Sequence, residues 1–355
     1  MALRRSVPGA FVALALSAGR SRPPGGFQGA PKLTKLNSFD WLRLLAAAMV
    51  IHHHVYPLSG RTAPSFFFAD YGALGVGIFF VISGYLVSGS LARSATLGDY
   101  IKKRLLRIEP GLIVSLLVTA LALGATVTTL PLAQYLTSPQ LWLYVAKNTL
   151  LYPVEYTLPG VFAANPFPAV VNGSLWTLRL EFSCYLALAA LAAVKLLRPR
   201  VVTVLVLIAA AGLVALHLIW PPEAGWLRLA DVAVLNGFLF LGGVWLHLHG
   251  KPPPWWVVAA SLLLLATPLW ALGLPAVVLG LGRLAAPKLP ADLSYGLYIY
   301  AFPLQQVLAM HGMLSLWTAM AATLPFAAAS WFLIEKPALR FKPKAVRPVA
   351  TDAPP

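Results

Sequence analysis

Charged residues are scarce in this sequence, and acidic residues are the scarcest. Of 355 residues, 11% are charged and only 11 are Asp or Glu, whereas 27 are Lys or Arg and 59% are hydrophobic. A soluble globular domain carries about 25% charged residues. The composition therefore excludes an ordinary soluble domain and predicts an all-α, polytopic membrane protein.

Cysteine is nearly absent as well, and so are the motifs of common nucleotide and metal sites. The single cysteine, Cys184, cannot form a disulfide within the chain and is interpreted as a small packing residue. The sequence has no internal repeat, no Walker or Rossmann glycine pattern and no metal-ligand spacing. Three consecutive histidines, residues 52–54, point about 100° apart on a helix and make a poor chelate. We therefore expect no metal and no permanently bound cofactor.

The positive charge, a formal net of +16, is confined to particular loops. Basic clusters follow every second apolar segment, whereas the alternate loops hold chiefly Arg61 and Lys147. This is the positive-inside pattern of membrane proteins, so the charge does not indicate nucleic-acid binding. It predicts about ten transmembrane helices with both termini in the cytoplasm, at residues 41–58, 71–92, 108–129, 175–196, 201–219, 228–248, 254–270, 271–287, 291–311 and 314–334.

Two tails flank the predicted membrane domain, which covers residues 37–342. Residues 1–36 are basic and rich in Gly and Pro, and they are interpreted as a disordered N-terminal tail. Their short apolar run, FVALALSA, also resembles a signal-peptide core, so cleavage remains an alternative. Residues 343–355 are interpreted as a C-terminal tail.

The first predicted helix carries two polar residues that a lipid environment disfavours. Arg43 and His54 are eleven residues apart, about three helical turns, so they share one face at a separation of ~16 Å along the axis. Arginine offers a fixed set of donors for carboxylate or phosphate, and histidine exchanges a proton near neutral pH. The pair is interpreted as lining one internal channel. A snorkelling arginine and hydrogen-bonded packing histidines are the structural alternative.

Two further arginines, Arg104 and Arg107, lie three residues apart before the third predicted span. Residues at this spacing are neighbours on one helix face, and two guanidinium groups side by side suit a phosphate-bearing ligand. An interfacial amphipathic helix that touches anionic lipid is the structural alternative.

The first two apolar segments together resemble the acyltransferase 3 family of integral membrane O-acyltransferases. An arginine, ten residues and a histidine are followed by FFVISGY, and this order selects His54 among the three histidines. Ala301 stands where many members have another histidine, which leaves His54 as the main proton carrier. The other matching residues are Phe79, Phe80, Ser83 and Gly84, the RxxR pair Arg104 and Arg107, Trp176 and Glu181 of SLWTLRLEF with Tyr185 one turn further on, Ser294, Tyr295 and Tyr298 of SYGLY, and Glu335 of EKP.

The resemblance implies a bacterial inner-membrane enzyme. It would transfer an acyl group, expected to be acetyl, from acyl-coenzyme A to a hydroxyl of a sugar, glycan or glycosylated acceptor. The polyanionic donor would dock from the cytoplasm against Arg43, Arg104 and Arg107. His54 would act as general base on the acceptor hydroxyl, or would pass the acyl group across.

Two motif residues leave alternatives open at this stage. Glu181 either neutralises or orients His54, or belongs to a structural ion pair. Ser83 is a candidate nucleophile, but the sequence shows no base beside it, so a hydrogen-bonding role is favoured. The remaining motif residues are interpreted as structural support.

Two other functions also remain hypotheses. A transporter or permease for a small polar or glycosylated solute would carry His, Glu and Arg inside the membrane too. Neither inverted repeats nor paired broken helices are recognisable, and these features would favour transport. The third hypothesis is a non-catalytic membrane partner of a glycan-synthesis complex.

Overall fold

Helices make up most of the part of the chain that is described. The structure, a computed structural model, describes residues 37–218 and 225–344. The predicted N-terminal tail and all but the first two residues of the C-terminal tail lie outside these ranges. Between the first two helices, the described residues form a short antiparallel hairpin of β1 (Ser65–Phe66) and β2 (Ala69–Asp70).

The helices follow one another with short connections. They are α1 (Asn37–Leu58), α2 (Tyr71–Ala92), α3 (Leu97–Leu117), α4 (Leu132–Thr137), α5 (Pro139–Thr149), α6 (Leu175–Ala193), α7 (Pro199–Leu218), α8 (Gly225–His249), α9 (Trp255–Leu264), α10 (Trp270–Leu281), α11 (Ser294–Met310) and α12 (Leu316–Ser330). Two helices continue past a π-helical stretch: α3 through Val118–Leu123 to Gly124–Val127, and α12 through Trp331–Glu335 to Lys336–Ala338 and Leu339–Phe341.

Each of the ten predicted spans coincides with a helix in the described ranges. Six helices are long and apolar enough to cross a membrane, and they identify a mostly helical, multi-pass membrane protein: Tyr71–Ala92, Leu97–Val127, Leu175–Ala193, Pro199–Leu216, Leu229–His249 and Leu316–Phe341. The helices α9 and α10, on either side of the weakest predicted boundary, are shorter apolar helices.

The third helix starts earlier than predicted. It begins at Leu97 rather than near residue 108, because Thr96 caps it: the Thr96 Oγ1 accepts a hydrogen bond of 3.0 Å from the backbone N–H of Asp99. Arg104 and Arg107 therefore belong to the same helix that continues into the membrane-spanning segment, with Pro110 inside it. This continuity fixes the direction in which both guanidinium groups point.

The helix α2 lies at the centre of the bundle. It packs against α1 on one side and α8 on the other, and 78% of its spanning segment is buried, the largest share among the six. Glycines permit these contacts, as the sequence predicts. A Cβ on Gly75 would meet the Ala46 carbonyl of α1, and a Cβ on Gly84 would overlap the Phe240 carbonyl of α8.

Replacing Gly84 with alanine is expected to lower the stability of the solubilised protein by about 1–3 kcal/mol, because the added methyl group would force α2 and α8 apart. The midpoint of thermal unfolding, followed by size-exclusion chromatography after heating, measures the effect. Gly237→Ala on α8 is the control, since a Cβ there meets nothing within 4 Å. Equal unfolding midpoints for the two variants would contradict the close contact of α2 with α8.

Candidate active site

A cavity opens between helices α1, α2, α3, α6 and α11. Its volume is about 110 Å³, several times the space that one water molecule needs. Arginines lie at one end of it, and Phe79 and Tyr298 lie at the other. It is lined by these residues that the sequence singled out: Arg43, Phe79, Phe80, Ser83, Arg104, Arg107, Glu181, Tyr185, Ser294, Tyr295 and Tyr298.

The helix α6 contributes a stripe of polar side chains along this cavity. Thr177, Glu181 and Tyr185 stand four residues apart, so they share one helix face at intervals of about 6 Å. The ring of Tyr185 lies 5.8 Å from the Cζ of Arg104, at the arginine end. At the other end, the Oγ1 of Thr177 is 2.5 Å from the hydroxyl of Tyr298. The stripe therefore runs the length of the cavity.

Glu181 is held in the middle of the stripe by two hydroxyl groups. Its Oε1 accepts hydrogen bonds of 2.5 Å from the Oγ of Ser83 and of 2.5 Å from the hydroxyl of Tyr185. Those two hydroxyl oxygens are 2.8 Å apart. Among the described residues, the Glu181 carboxylate forms no ion pair, and its partner on another helix is Ser83 rather than His54.

Two of the three cavity arginines share one carboxylate that the sequence reasoning missed. Asp292, in the loop before α11, lies 2.6 Å from Arg107 and 3.3 Å from Arg43. Burial by itself would raise the pKa of Asp292, but the charges of Arg107 and Arg43 outweigh it and hold that pKa well below its ordinary value. Arg43 also pairs with Asp40 at 2.5 Å, and Arg107 lies 3.7 Å from Glu335.

Arg104 differs from the other two because it has no carboxylate partner in the described part of the chain. Its Nη2 donates a hydrogen bond of 3.1 Å to the Oγ of Ser90. Its Nε is buried and has no hydrogen-bond partner among the described residues, and the same is true of the Nε of Arg43. Arg104 is thus a cation with donors still available to a ligand.

His54 does not line the cavity. Its ring packs edge-on against Phe302 of α11 at 5.0 Å, and it lies 5.6 Å from the ring of His53. Its Nδ1 is buried without a hydrogen-bond partner in the described ranges. Ala47 and Ile51, which lie between Arg43 and His54 on the same helix face, are 0% and 1% exposed.

Two aromatic rings separate the cavity from His54. Phe79 and Tyr298 meet edge-on at 5.6 Å and close the inner end of the cavity. Phe302, which contacts His54, follows Tyr298 by four residues, or one turn of about 6 Å. The structure thus places Arg43 in the cavity and His54 one helical turn beyond its end. The open channel between them, expected from the sequence, remains a prediction that requires these rings to move.

The other predicted site residues lie around the cavity. Gly84 is at the contact with α8, and Trp176 is partly buried on α6. Glu335 is 2% exposed and accepts a hydrogen bond of 2.8 Å from Ser330, so it joins α12 to Arg107 on α3. His53 supports the histidine run, since its Nδ1 lies 3.2 Å from the carboxylate of Asp70, which also caps α2.

Sequence reasoning missed three residues of the site. Asp292 carried a signal, because no other Asp or Glu occurs between Asp231 and Glu335. Thr177 lies four residues before Glu181, and this periodicity was also readable. Lys342 carried none, as it is one of several basic residues near the C-terminus. Burial, and then the charges of Arg104, Arg107 and Lys103, lower the pKa of Lys342 to about 8, which puts another cation near this end of the cavity.

Comparison with known proteins agrees with the motifs. A family model described as an acyltransferase domain matches residues 36–334. Nodulation protein 10 of Rhizobium leguminosarum bv. viciae is 31% identical over 358 residues, covering 87% of this chain and 95% of that protein. An O-acetyl transferase of Shigella phage Sf6 is 31% identical over 329 residues, covering 85% and 96%. No solved structure matches. Because the family model covers most of the chain, the protein belongs to the acyltransferase 3 family and is an acyltransferase.

Proposed function

We propose that this acyltransferase moves an acyl group, expected to be acetyl, from acyl-coenzyme A to a hydroxyl of a sugar or glycan. The observation that carries the proposal is Arg104, a cation without a carboxylate partner in the described chain, at the end of a cavity that leads towards His54. The similarity to a phage protein named as an O-acetyl transferase supports acetyl transfer to oxygen.

The donor binds at the arginine end of the cavity. A polyanion such as coenzyme A needs several cations, and Arg43, Arg104, Arg107 and Lys342 are gathered there. Asp292 already neutralises part of the charge of Arg43 and Arg107. We therefore assign the first contact with a donor phosphate to Arg104, with the unpartnered Nε of Arg43 as a second donor.

The acceptor hydroxyl meets His54 from the other side of the aromatic pair. His54 takes the proton of that hydroxyl as general base, while the oxygen attacks the acyl carbonyl of the thioester. Proton transfer by a placed base typically contributes a factor of about 10²–10⁴ to the rate. Arg43 and Glu181 act on the donor side of the site, where they line the cavity. No permanently bound cofactor takes part in this scheme.

The topology follows from the basic loops. In the proposed arrangement, α1 to α3 and α6 to α12 form ten spans of a membrane domain at residues 37–342, with both termini in the cytoplasm of a bacterial cell and the spans in its inner membrane. The positive-inside pattern supports this orientation, and a helix in each predicted span supports the count. Residues 1–36 and 343–355 are tails in this scheme. The arginine end of the cavity then faces cytoplasmic acyl-coenzyme A.

Mass spectrometry of envelope glycans and glycosylated small molecules from a deletion strain tests the function. The strain is expected to lack one acyl modification, acetyl in the simplest case, and the gene restored in trans should return it. Purified protein in proteoliposomes should release coenzyme A thiol from acetyl-coenzyme A when those glycans are added. Solute flux without thiol release would overturn the proposal in favour of a transporter.

A further inference from the structure

We propose that the polar stripe of α6, together with Ser83 and Tyr298, binds the amide-bearing pantetheine arm of the donor. This inference rests on the proposed function, since it concerns the middle of an acyl-coenzyme A molecule. It assigns Thr177, Glu181 and Tyr185 to ligand binding. It also removes Glu181 from any direct contact with His54.

The length of the arm fits the distance between the two ends of the site. From the phosphate to the sulfur, the arm has about as many bonds as four residues of extended backbone, which gives ~15 Å. Arg43 and His54 are ~16 Å apart along α1. A donor with its phosphate at the arginines therefore delivers its thioester to the level of His54. The arm must then lie along the cavity between them.

The polar groups along that path match the arm. The arm carries two amide groups, whose nitrogens are ~5 Å apart when the chain is extended, and the stripe on α6 presents polar side chains at ~6 Å intervals. Ser83 and Tyr185 both donate to the Oε1 of Glu181, which leaves its Oε2 for an amide N–H of a ligand. One turn further inward, the hydroxyls of Thr177 and Tyr298 face the same cavity.

An ionised carboxylate in an apolar bundle is costly unless donors surround it. Glu181 has two hydroxyl donors and, among the described residues, no cationic partner. An amide N–H supplies a further hydrogen bond to the carboxylate without cancelling its charge. Glu181 is therefore a positioning group for a neutral, amide-bearing segment, while the anionic end of the ligand lies one turn away, at Arg104.

The surrounding backbone holds this subsite rigidly. Ser83 lies next to Gly84, where α2 touches the backbone of α8. The start of α6 is tied to α11 by Asn172, whose Nδ2 donates to the Ile299 carbonyl at 2.9 Å and whose Oδ1 accepts from the Ser174 N–H at 3.1 Å. A ligand thus finds the polar groups already in position, which lowers the entropic cost of binding.

Fragments of coenzyme A separate the stripe from the arginines. Dissociation constants of the purified, full-length protein are measured for coenzyme A, for 4′-phosphopantetheine and for adenosine 3′,5′-bisphosphate, the nucleotide part without the arm. Glu181→Gln is expected to weaken binding of coenzyme A and 4′-phosphopantetheine by roughly 10-fold or more, since a charge-assisted hydrogen bond is lost. Binding of the bisphosphate should stay within about 2-fold, because it reaches only the arginines, and this unchanged value reports that the variant is folded.

Three comparisons decide the outcome. Thr177→Val should weaken the two arm-bearing ligands only, and Glu155→Gln, in the 130–174 connection where Glu155 pairs with Lys147, should change nothing. If Glu181→Gln weakens all three ligands equally, or none, the subsite is wrong while the proposed function stands. If wild-type protein binds neither coenzyme A nor the bisphosphate, the donor itself is wrong, and the proposed function fails with it.

Discussion

His54→Ala is expected to reduce acyl transfer by at least about 100-fold, because the acceptor hydroxyl loses its general base. The affinity for coenzyme A should stay within about 2-fold of wild type, since His54 lies one helical turn beyond the cavity and touches none of its arginines. The loss should therefore be in kcat and not in donor binding. Transfer to envelope glycan, measured beside coenzyme A affinity on the same preparation, gives both values.

His52→Phe is the matched control for this prediction. The ring of His52 packs edge-on against Tyr56 at 5.3 Å and Tyr71 at 5.2 Å, and phenylalanine keeps both contacts while removing the imidazole. It should retain most of the activity. Full transfer by His54→Ala, or equal losses in the two variants, would remove His54 from the chemical step.

The two arginines of the RxxR pair should fail in different ways. Arg104→Ala should give folded protein whose dissociation constant for coenzyme A rises by roughly 10- to 100-fold, because a cation without an internal partner is lost from the ligand. Arg107→Ala should instead lower the free energy of unfolding by about 3–5 kcal/mol. It leaves Asp292 and the nearly buried Glu335 without their shared cation.

Thermal unfolding and coenzyme A affinity, measured for both variants, separate these two effects. Arg198→Ala, an exposed arginine in the loop between α6 and α7, controls for the loss of one positive charge and should change neither quantity. A stable Arg107→Ala protein that no longer binds coenzyme A would reverse the assignment. It would show that Arg107 exchanges Asp292 for a donor phosphate.

The aromatic pair of Phe79 and Tyr298 has a consequence for the reaction as a whole. The donor enters from the arginine end and the acceptor from the histidine end, and the two rings lie between them. A closed barrier keeps water and wrong acceptors away from the thioester until the donor arm displaces the rings. Exclusion of water also strengthens the electrostatic contacts within the site.

The sequence by itself determined the class of protein and the position of its helices. Long apolar segments exclude a soluble fold, and the basic loops count the segments, because the cost of burying charge in lipid acts on each segment independently of its neighbours. The spacing of Arg43 and His54, and that of Arg104 and Arg107, follows from the helix period alone. All of these are local properties, so they are readable before the chain is folded.

Only the tertiary structure decided how the polar residues are paired. The sequence presents Arg104 and Arg107 as equals, yet Asp292, 185 residues beyond Arg107, binds one and leaves the other unpaired. It suggested His54 as a partner for Glu181, yet Ser83, 98 residues away, takes that place. Helix packing sets these contacts, through glycines such as Gly84 that bring backbones together. Side-chain periodicity along one helix carries no information about which face of another helix it will meet.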